Sequence, residues 1–268
     1  MLENPRSPRV RAVAKLTKRS ARVETGLFLL EGPQSVREAL HYLPEAIVEL
    51  FATPTAWEKH ADVRALAAEH DVEVEYVTEA VLAAMADTVT PQGLVAVTRQ
   101  TPTSVRDIFA ASPKLIAICE EVRDPGNLGT IIRAADAAGA DAVVLTGRTV
   151  DPYNPKVVRS TTGSLFHLPV SVGGELDDVI RRAHDAGMNV IAADVKGDDL
   201  LAARAQGVLA QPTAWLFGNE ARGLEHDALA QADRALRLPI FGRAESLNLA
   251  TAASVCLYES AFAQRADV

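Results

Sequence analysis

Cysteines, aromatic residues and long apolar runs are scarce in this chain, and these scarcities limit the classes of protein to which it can belong. Of the 268 residues, two are cysteines and 5% are Phe, Trp or Tyr. Cys119 and Cys256 lie in apolar stretches without His or Cys partners at metal-ligand spacing, so we expect buried free thiols and no metal. No apolar run approaches the ~20 residues that span a bilayer, and the N-terminus lacks a signal-peptide core. The composition therefore predicts a soluble, cytoplasmic protein with no membrane partner.

Two common nucleotide-binding patterns are also absent. A dinucleotide-binding fold would show Gly-x-Gly-x-x-Gly after its first strand, with an acidic residue about twenty positions later. A phosphate-binding loop would show Gly-x-x-x-x-Gly-Lys-Ser/Thr. Neither pattern occurs in the sequence. Any nucleotide-like cofactor must therefore be held by turns of another kind.

Positive charge is concentrated near the N-terminus. The net charge of the chain is −8, yet residues 4–22, which we call the basic arm, contain seven cations and no acidic residue. Without those seven charges the remainder carries about −15. A basic arm on an acidic body can draw RNA phosphates to one surface while the rest resists nonspecific binding. The alternative interpretation is a solvated, frayed N-terminus.

The order of apolar runs and turns predicts two α/β blocks. Residues 100–113, with two prolines and several Ser or Thr, mark the boundary between them. In the first block, strands are predicted at 28–31, 47–52, 72–77 and 93–98, with helices at 33–43 and 57–70 and a short helix capped by Thr78.

The second block predicts a parallel sheet covered on both faces, because strands and helices alternate along it. We expect its first helix to be capped by Asn127 and its last to open at Ser246. Strands are predicted at 114–119, 141–145, 168–172, 189–193, 215–217 and 236–238, and the last helix at 246–264.

Three polar turns follow apolar strands of the second block, and such strand-to-helix junctions bind ligands in open α/β sheets. The first motif turn, residues 124–133, is Asp-Pro-Gly-Asn-Leu-Gly-Thr-Ile-Ile-Arg. The second, residues 216–224, is Leu-Phe-Gly-Asn-Glu-Ala-Arg-Gly-Leu. The third combines Leu-Pro-Ile at 238–240 with Glu-Ser-Leu-Asn-Leu-Ala at 245–250.

Together the three turns resemble the motif set of the SpoU (TrmH) branch of the SPOUT RNA methyltransferases. The resemblance implies that residues 112–268 form a SPOUT α/β knot, a parallel sheet with a trefoil knot. Knots are otherwise nearly absent from proteins, so the knot is expected through the resemblance alone. Residues 1–105 resemble the smaller, ribosomal-protein-like α/β domain that binds the RNA substrate in two-domain members.

The resemblance also implies S-adenosylmethionine (AdoMet) as the cofactor, bound in the knot of a homodimer. The backbone of the motif turns would hold its adenine, and its methyl group would point to a pocket shared with the partner subunit. The final helix would help form that interface through Leu249, Val255, Leu257 and Phe262. The implied cofactor-binding residues are Leu216, Gly218, Asn219, Gly223, Leu238, Ile240 and Leu247.

The implied reaction is methyl transfer to a ribose 2'-hydroxyl of RNA, with 23S ribosomal RNA as the expected substrate. Arg133, on the face of its helix opposite the apolar stripe, stands at the family's catalytic position. It would either accept the proton with help from a substrate phosphate or, because a guanidinium does not readily release its proton, stabilise the developing alkoxide and grip that phosphate. Asn127 would hold the loop or the ribose, and Glu220 would orient Arg133 or its cross-subunit neighbour. Ser246 and Asn248 would position substrate and cofactor loop.

Basic residues outside the motif turns are expected to bind RNA phosphates without reading bases. Residues 156–163, basic and rich in hydroxyls, resemble the family's loop that carries a basic residue beside the active site; a solvated helix face is the alternative. The predicted RNA-binding residues are Arg9, Arg11, Lys15, Lys18, Arg19, Arg22 and Arg159.

Other functions fit parts of this pattern. A noncatalytic RNA-binding or ribosome-assembly protein would keep the fold, but it would be expected to lose Arg133, Glu220 or Asn248, and all three are present. Methylation of a base by another SPOUT branch fits less well with Ser-Leu-Asn at 246–248. A transfer RNA 2'-O-methyltransferase is a further alternative, although the length and the basic arm favour ribosomal RNA.

Overall fold

The computed structural model describes residues 1–265, which form two compact units. Unit 1 consists of residues 1–101 and 151–167, and unit 2 of residues 102–150 and the chain from Leu168 onward. No helix of the described residues is both long and apolar enough to cross a membrane. Numbered along the chain, the helices are α1 (Pro8–Lys15), α2 (Arg19–Thr25), α3 (Pro33–Tyr42), α4 (Pro54–Lys59), α5 (Ala61–Glu69), α6 (Glu79–Met85), α7 (Val105–Ala110), α8 (Pro125–Ala137), α9 (Pro155–Thr161), α10 (Leu176–Asp185), α11 (Leu200–Ala205), α12 (His226–Gln231) and α13 (Leu249–Gln264). The strands are β1 (Leu27–Glu31), β2 (Ile47–Ala52), β3 (Val74–Tyr76), β4 (Leu94–Arg99), β5 (Leu115–Glu120), β6 (Ala142–Thr146), β7 (Val170–Gly174), β8 (Asn189–Asp199), β9 (Thr213–Phe217) and β10 (Arg234–Arg237), and short 3₁₀ helices lie at Pro44–Ala46, Ser164–Phe166 and Val208–Ala210.

Unit 1 is built on a mixed sheet with the strand order β1-β4-β2-β3. β4 runs antiparallel to β1 and β2, whereas β2 and β3 are parallel. The single helix predicted at 57–70 is wrong, because two helices, α4 and α5, meet at His60. His60 has φ −103° and ψ 67°, outside the helical region, so one continuous helix cannot pass through it.

The basic arm is folded rather than frayed. Ser7 caps α1 by accepting a hydrogen bond from the backbone N–H of Val10 at 3.3 Å. Val10, Val13 and Leu16 are buried in a core cluster of unit 1. α2 follows and ends at Gly26, whose left-handed φ of 67° suits a residue without Cβ. The alternative of a solvated N-terminal tail is therefore wrong.

A second segment of chain, residues 151–167, completes unit 1. Tyr153 and Val158 are buried in the same core cluster as Phe28, and the ring centroids of Tyr153 and Phe28 are 4.9 Å apart. Burial raises the pKa of the Tyr153 hydroxyl to about 12. The predicted boundary within residues 100–113 divides the chain into two consecutive blocks, whereas unit 1 takes residues 151–167 from within the later block.

Unit 2 contains a six-stranded sheet with the order β10-β8-β9-β5-β6-β7. Every pair of neighbouring strands in it is parallel, which confirms the predicted parallel α/β architecture. Its central strands are apolar on both sides, as in other buried parallel sheets: Ile116, Ile118 and Trp215 expose no surface. The indole N–H of Trp215 donates to Ser260 Oγ at 2.9 Å and ties α13 to the sheet.

The caps of two helices differ from those predicted. Asp124, not Asn127, is the N-cap of α8, because its carboxylate accepts the backbone N–H of Asn127 at 2.8 Å. Asn248, not Ser246, caps α13 by accepting two N–H groups of the first turn. In each case the side chain nearest the first turn satisfies backbone donors that have no partner inside the helix.

Candidate active site

The three motif turns leave the same edge of the unit 2 sheet. The first follows β5 and the second follows β9, and these strands are neighbours, with Cys119 paired to Phe217. The third follows β10, which lies beside β8 in the same parallel sheet. The turns therefore meet at the carboxyl edge, where open α/β sheets bind ligands.

Glu220 holds the second motif turn against the first. Its carboxylate accepts the backbone N–H groups of Arg123 at 3.1 Å and Asp124 at 2.9 Å. It also accepts the side-chain amide of Asn127 at 3.3 Å. A carboxylate bonded to several donors of one loop fixes the position of that loop. Glu220 is thus a positioning group for the start of α8.

The second motif turn is a tight backbone loop. Asn219 and Gly223 exchange backbone hydrogen bonds of 3.1 and 2.8 Å. The side-chain amide of Asn219 also donates to the carbonyl of Glu121 at 2.9 Å. A Cβ on Gly218 would lie 2.5 Å from the carbonyl carbon of Gly223. The turn therefore excludes any side chain at position 218.

Asn248 joins the third motif turn to the other two. Its side-chain N–H donates to Asn127 Oδ1 at 2.9 Å. Because Asn127 in turn donates to Glu220, hydrogen bonds run through three side chains, one from each motif turn. We call these three residues the amide–carboxylate network. Such a network holds its members in one arrangement when each is satisfied.

Arg133 stands apart from this network. Its side chain is exposed, and the apolar stripe predicted on the other side of α8 is buried. Among residues 1–265 its guanidinium has no hydrogen-bond or ion-pair partner, Glu220 included. The structure thus does not show the predicted orientation of Arg133 by Glu220 of the same chain. An unpaired guanidinium remains available to an anion.

Two adjacent carboxyl groups at the end of β5 differ in their pKa. Burial raises the pKa of Glu120. The backbone N–H of Arg148 and then the guanidinium of Arg123 lower the pKa of Glu121. Glu121 therefore stays ionised and anchors the side chain of Arg123 beside the first motif turn.

Both cysteines are buried free thiols, as predicted. Burial, with a smaller effect of the Glu220 charge, raises the pKa of Cys119 to about 12. A thiol with so high a pKa is a poor nucleophile near neutral pH. Among the described residues, no group of His, Cys, Asp or Glu could hold a metal ion.

The segment 238–247 differs from the turns just described. It has no regular structure, and none of its backbone groups forms a hydrogen bond with the described part of the chain. Ile240, Phe241 and Leu247 expose 37%, 90% and 42% of their surface, and Leu238 is half-buried. Ser246 is exposed and makes no side-chain hydrogen bond within residues 1–265. Apolar side chains and unbonded peptide groups therefore occur together here.

One residue predicted to bind the cofactor has another role. Leu216 lies within β9, exposes no surface and packs in the core of unit 2. Its backbone faces both neighbouring strands, paired with Ile118 and Ala192. We therefore remove Leu216 from the candidate site. Gly218, Asn219 and Gly223 form the second motif turn itself.

Arg22 is not an RNA ligand in this structure. Its side chain is 2% exposed and lies 2.7 Å from the carboxylate of Asp151. It also donates to the carbonyl oxygens of Leu16 and Thr17 at 2.8 and 2.9 Å. The prediction that Arg22 binds RNA is therefore wrong, because Asp151 and two backbone carbonyls of the basic arm hold its guanidinium inside unit 1.

The other predicted RNA-binding cations fall into two groups. Arg9 pairs with Glu49 at 2.6 Å. Arg159 pairs with Glu31 and with Asp87. The remaining four are exposed and have no ion-pair partner in residues 1–265, so their charge is open to RNA; they are Arg11, Lys15, Lys18 and Arg19.

The final helix exposes only part of its predicted interface. Leu257 is fully buried and Leu249 is half-buried. Val255 and Phe262 expose 38% and 57% of their surface. Tyr258, which the sequence analysis did not single out, lies between them with its ring centroid 5.5 Å from that of Phe262. This exposed stripe is spaced for one face of a helix.

The sequence analysis also missed Asp124 and the backbone N–H of Arg123 as parts of the site. The signal for Asp124 was present, because Asp before Pro is typical of an N-cap followed by the first helical residue. No sequence signal marks Arg123, since it contributes a backbone group.

These features define a class of protein, a two-unit α/β protein with a polar site at the carboxyl edge of a parallel sheet. The chain belongs to the SpoU rRNA Methylase family, which it matches over residues 114–258. Residues 7–96 match the MRM3-like substrate binding domain.

Similar proteins extend this finding over nearly the whole chain. The 23S rRNA (guanosine(2553)-2'-O)-methyltransferase RlmP of Bacillus subtilis is 32% identical over 257 residues, which cover 96% of this chain and 97% of RlmP. A crystal structure of an AdoMet-bound rRNA methyltransferase from Sinorhizobium meliloti is 33% identical, with a TM-score of 0.81 and coverage of 97% and 96%. The SpoU methyltransferase AviRb from Streptomyces viridochromogenes, in complex with the cofactor AdoMet, is 30% identical, with a TM-score of 0.80 and coverage of 97% and 99%.

Proposed function

We propose that this protein transfers a methyl group from AdoMet to a ribose 2'-hydroxyl of ribosomal RNA, with 23S rRNA as the substrate. The observation that carries the proposal is the amide–carboxylate network, which joins all three motif turns at the carboxyl edge of the sheet. Arg133 lies on the helix that begins in this network and has no partner in the described chain. A fixed polar frame beside an unpaired cation is suited to a reaction in which negative charge develops.

The segment 238–247 fits the cofactor. Its peptide groups have no protein partner among the described residues, and backbone donors and acceptors of this kind can bind the edge of an adenine. Leu238, Ile240 and Leu247 present apolar surface that suits the faces of the ring. The second motif turn, with Gly218, adds a backbone that approaches without a side chain.

When bound, AdoMet supplies an electrophilic methyl group on a sulfonium. Arg133 would stabilise the oxyanion of the attacking ribose and hold a neighbouring phosphate. We assign this electrostatic role rather than that of a base, because a guanidinium does not release its proton in proteins; the proton of the 2'-hydroxyl would pass to the neighbouring phosphate or to water. The fork of parallel N–H donors can contact a phosphate and the reacting oxygen together.

The other site residues position these groups. Glu220 fixes the loop before α8 and hence the direction of that helix. Asn127 and Asn248 hold the first and third motif turns at a set separation. Ser246, exposed beside Asn248, would contact substrate. Orientation of this kind lowers the barrier by placing oxygen and methyl carbon in line.

Three observations support ribosomal RNA as the substrate. RlmP is named as a 23S rRNA methyltransferase, and residues 7–96 match a substrate binding domain. Four unpaired cations of the basic arm would bind RNA phosphates. We propose that the reaction takes place in the cytoplasm.

We further propose a homodimer with a trefoil knot in residues 112–268. The exposed stripe of Val255, Tyr258 and Phe262 on α13 would form part of the dimer interface. Any effect of Glu220 on the partner subunit would pass through Arg123, Asp124 and Asn127, whose N–H groups it already binds. Sedimentation of the full chain tests the dimer directly.

The decisive experiment measures methyl transfer from labelled AdoMet to protein-free 23S rRNA, followed by mapping of 2'-O-methyl sites. We expect one or a few modified riboses. RNA binding without any transfer would instead support the noncatalytic alternative, and methylation of transfer RNA in preference to 23S rRNA would support the transfer RNA alternative.

A further inference from the structure

Unit 1 contains a polar pocket at the start of α3. It has a volume of about 330 Å³ and lies where β1 ends, beside the loop that precedes β4. The residues that line it and matter here are Gly32, Gln34, Ser35, Gln92, Arg159 and Thr162. All belong to unit 1, so the pocket is complete within that unit.

The N-terminus of α3 opens into this pocket without a cap. Gly32 stands at the N-cap position, with φ 85° and no side chain to bind the first turn. Within residues 1–265, the backbone N–H groups of Gln34 and Ser35 have no hydrogen-bond partner. The φ of Gly32 lies in a region that favours glycine, and a Cβ there would lie 2.8 Å from Gln92 Oε1. Uncapped N–H groups and the helix dipole together favour an anion.

The hydroxyl of Ser35 supplies a second, independent observation. The Ser35 residue is 7% exposed, lines the pocket and forms no side-chain hydrogen bond with the described residues. Its oxygen is not shut off from solvent, since Thr98 Oγ1 and Glu120 Oε2 are the buried side-chain polar atoms without a partner in the described chain. The hydroxyl therefore keeps its hydrogen-bonding capacity for water or for a ligand oxygen.

The charges around the pocket are already arranged for this. Glu31 lines the pocket, but its carboxylate accepts the N–H groups of Asp87 and Thr88, the hydroxyl of Thr88 and the guanidinium of Arg159. Its oxygens are therefore turned to these donors. Arg159 uses two of its three nitrogens on Glu31 and Asp87 and keeps Nε for a further acceptor.

We propose that this pocket binds a phosphodiester of the RNA substrate, held by the N–H groups of Gln34 and Ser35, the hydroxyl of Ser35 and Arg159. The inference rests on the proposed function in that the substrate is RNA. It adds a contact of unit 1 that depends on a helix N-terminus rather than on the exposed cations of the basic arm.

The test is Gln34→Glu in the full-length protein, with binding of protein-free 23S rRNA measured over a series of salt concentrations. Gln34 is exposed, and its side-chain amide donates to the carbonyl of Thr162 at 3.2 Å. The carboxylate loses this one surface bond, while an acidic group in the first turn favours the helix. The new charge lies beside the place of the phosphate. We expect affinity to fall roughly fivefold to tenfold at ~0.1 M salt and the salt slope to lose about one unit. Gln34→Met loses the same bond to Thr162 without adding charge and should keep the salt slope of the unaltered protein.

Gln206→Glu is the matched control, because Gln206 is exposed in unit 2 and lines none of the pockets described for residues 1–265. The same affinity and slope in both variants would overturn the proposal. Ser35→Ala provides a second route: we expect about a threefold loss of RNA affinity with unchanged folding, the scale of one hydrogen bond. Unchanged affinity in that variant would remove Ser35 from the site.

Two further arms separate this inference from neighbouring ones. Binding of inorganic phosphate that Gln34→Glu abolishes, without any effect on RNA, would assign the pocket to free phosphate and overturn the RNA site. Methyl transfer by the unaltered protein is measured on the same RNA. Methyl transfer by the unaltered protein, with RNA affinity unchanged in Gln34→Glu, would refute the phosphate pocket alone. Loss of RNA affinity in Gln34→Glu, without methyl transfer by the unaltered protein, would refute the enzyme activity alone.

Discussion

The first two motif turns and the segment 238–247 lie at the same edge of the sheet but differ in how their polar groups are bonded. The turns after β5 and β9 bond to each other through Glu220 and Asn127. In the segment after β10, no backbone group bonds to the described chain, and Phe241 is 90% exposed. One part of the site is therefore ordered by the protein itself, whereas the other keeps its polar groups for a ligand.

The two parts of the site contribute to different free energies, one to the barrier of the reaction and the other to ligand binding. A preorganised polar frame stabilises developing charge without rearrangement during the reaction. A segment with unbonded peptide groups keeps those groups for a ligand, and any ordering that accompanies binding reduces the affinity for that ligand. The division matches the proposed functions of the two parts, which are chemistry and cofactor binding.

The largest effect is expected at Arg133, the last residue of the first motif turn, which takes no part in the amide–carboxylate network. Arg133→Ala should lower methyl transfer by at least ~100-fold, because the group that stabilises the oxyanion is lost. Folding and AdoMet binding should be nearly unchanged, since the side chain has no partner in the described chain. Initial rates on 23S rRNA and calorimetry with AdoMet measure the two effects.

Arg133→Lys sharpens this test. Lysine keeps the charge but not the planar fork, so we expect it to be nearly as inactive as alanine. Arg181→Ala, at an exposed arginine of α10, is the control and should be fully active. A fully active lysine variant would mean that charge alone suffices, and a fully active alanine variant would exclude Arg133 from the mechanism.

Glu220→Ala should break the ordered part of the site. The backbone N–H groups of Arg123 and Asp124 lose their acceptor, so we expect a stability loss of about 1–2 kcal/mol and a roughly tenfold lower kcat. Thermal melting and single-turnover kinetics measure these. Glu225→Ala, at an exposed neighbour, should change neither. Equal activity of both variants would show that the network is not needed for the reaction.

AdoMet should mainly change the protection of the segment 238–247. Amide hydrogen exchange of residues 239–247 should slow by about tenfold at saturating AdoMet, because the ligand satisfies their N–H groups. Residues 123–127 should change little, since they are already bonded. Mass spectrometry of peptic fragments gives both measurements. Protection confined to 123–127 would reverse the comparison.

The smallest effects distinguish two neighbours at the junction of the parts. Asn248→Ala should lower stability by about 1 kcal/mol, because α13 loses its cap and the bond to Asn127. Ser246→Ala should leave the melting temperature unchanged, as its side chain has no partner within residues 1–265. A stability loss at Ser246 and none at Asn248 would restore the helix start that the sequence predicts.

Most strands of unit 2 were predictable because they contain an apolar run bounded by turns, and the site turns followed from their place after those strands. The full length of β8 was not, because the strand continues beyond the predicted 189–193 to Asp199 through mostly polar residues. Helix caps were less predictable. Asp124 and Asn127 are both good capping residues, and only the backbone geometry decides which side chain reaches the free N–H groups. The burial of Arg22 could not be predicted for a similar reason, since its partner Asp151 lies 129 residues further along the chain.

The network itself needed the structure. Its three residues lie far apart in sequence, with Asn127 and Asn248 separated by 121 positions. A motif shows that such residues recur at certain turns, but strand order determines that the turns meet. The free N–H groups at the start of α3 likewise depend on the backbone conformation of Gly32, for which no side chain gives a signal.

The segment 151–167 sets an order of events during synthesis. The core of unit 1 includes Tyr153 and Val158, so its first 101 residues cannot bury Phe28 fully while they are the only part that has left the ribosome. The nascent chain must also release residues 102–150, which belong to unit 2, before the first unit closes. Completion of the substrate-binding end of the molecule is thereby delayed until translation is well into the methylase region.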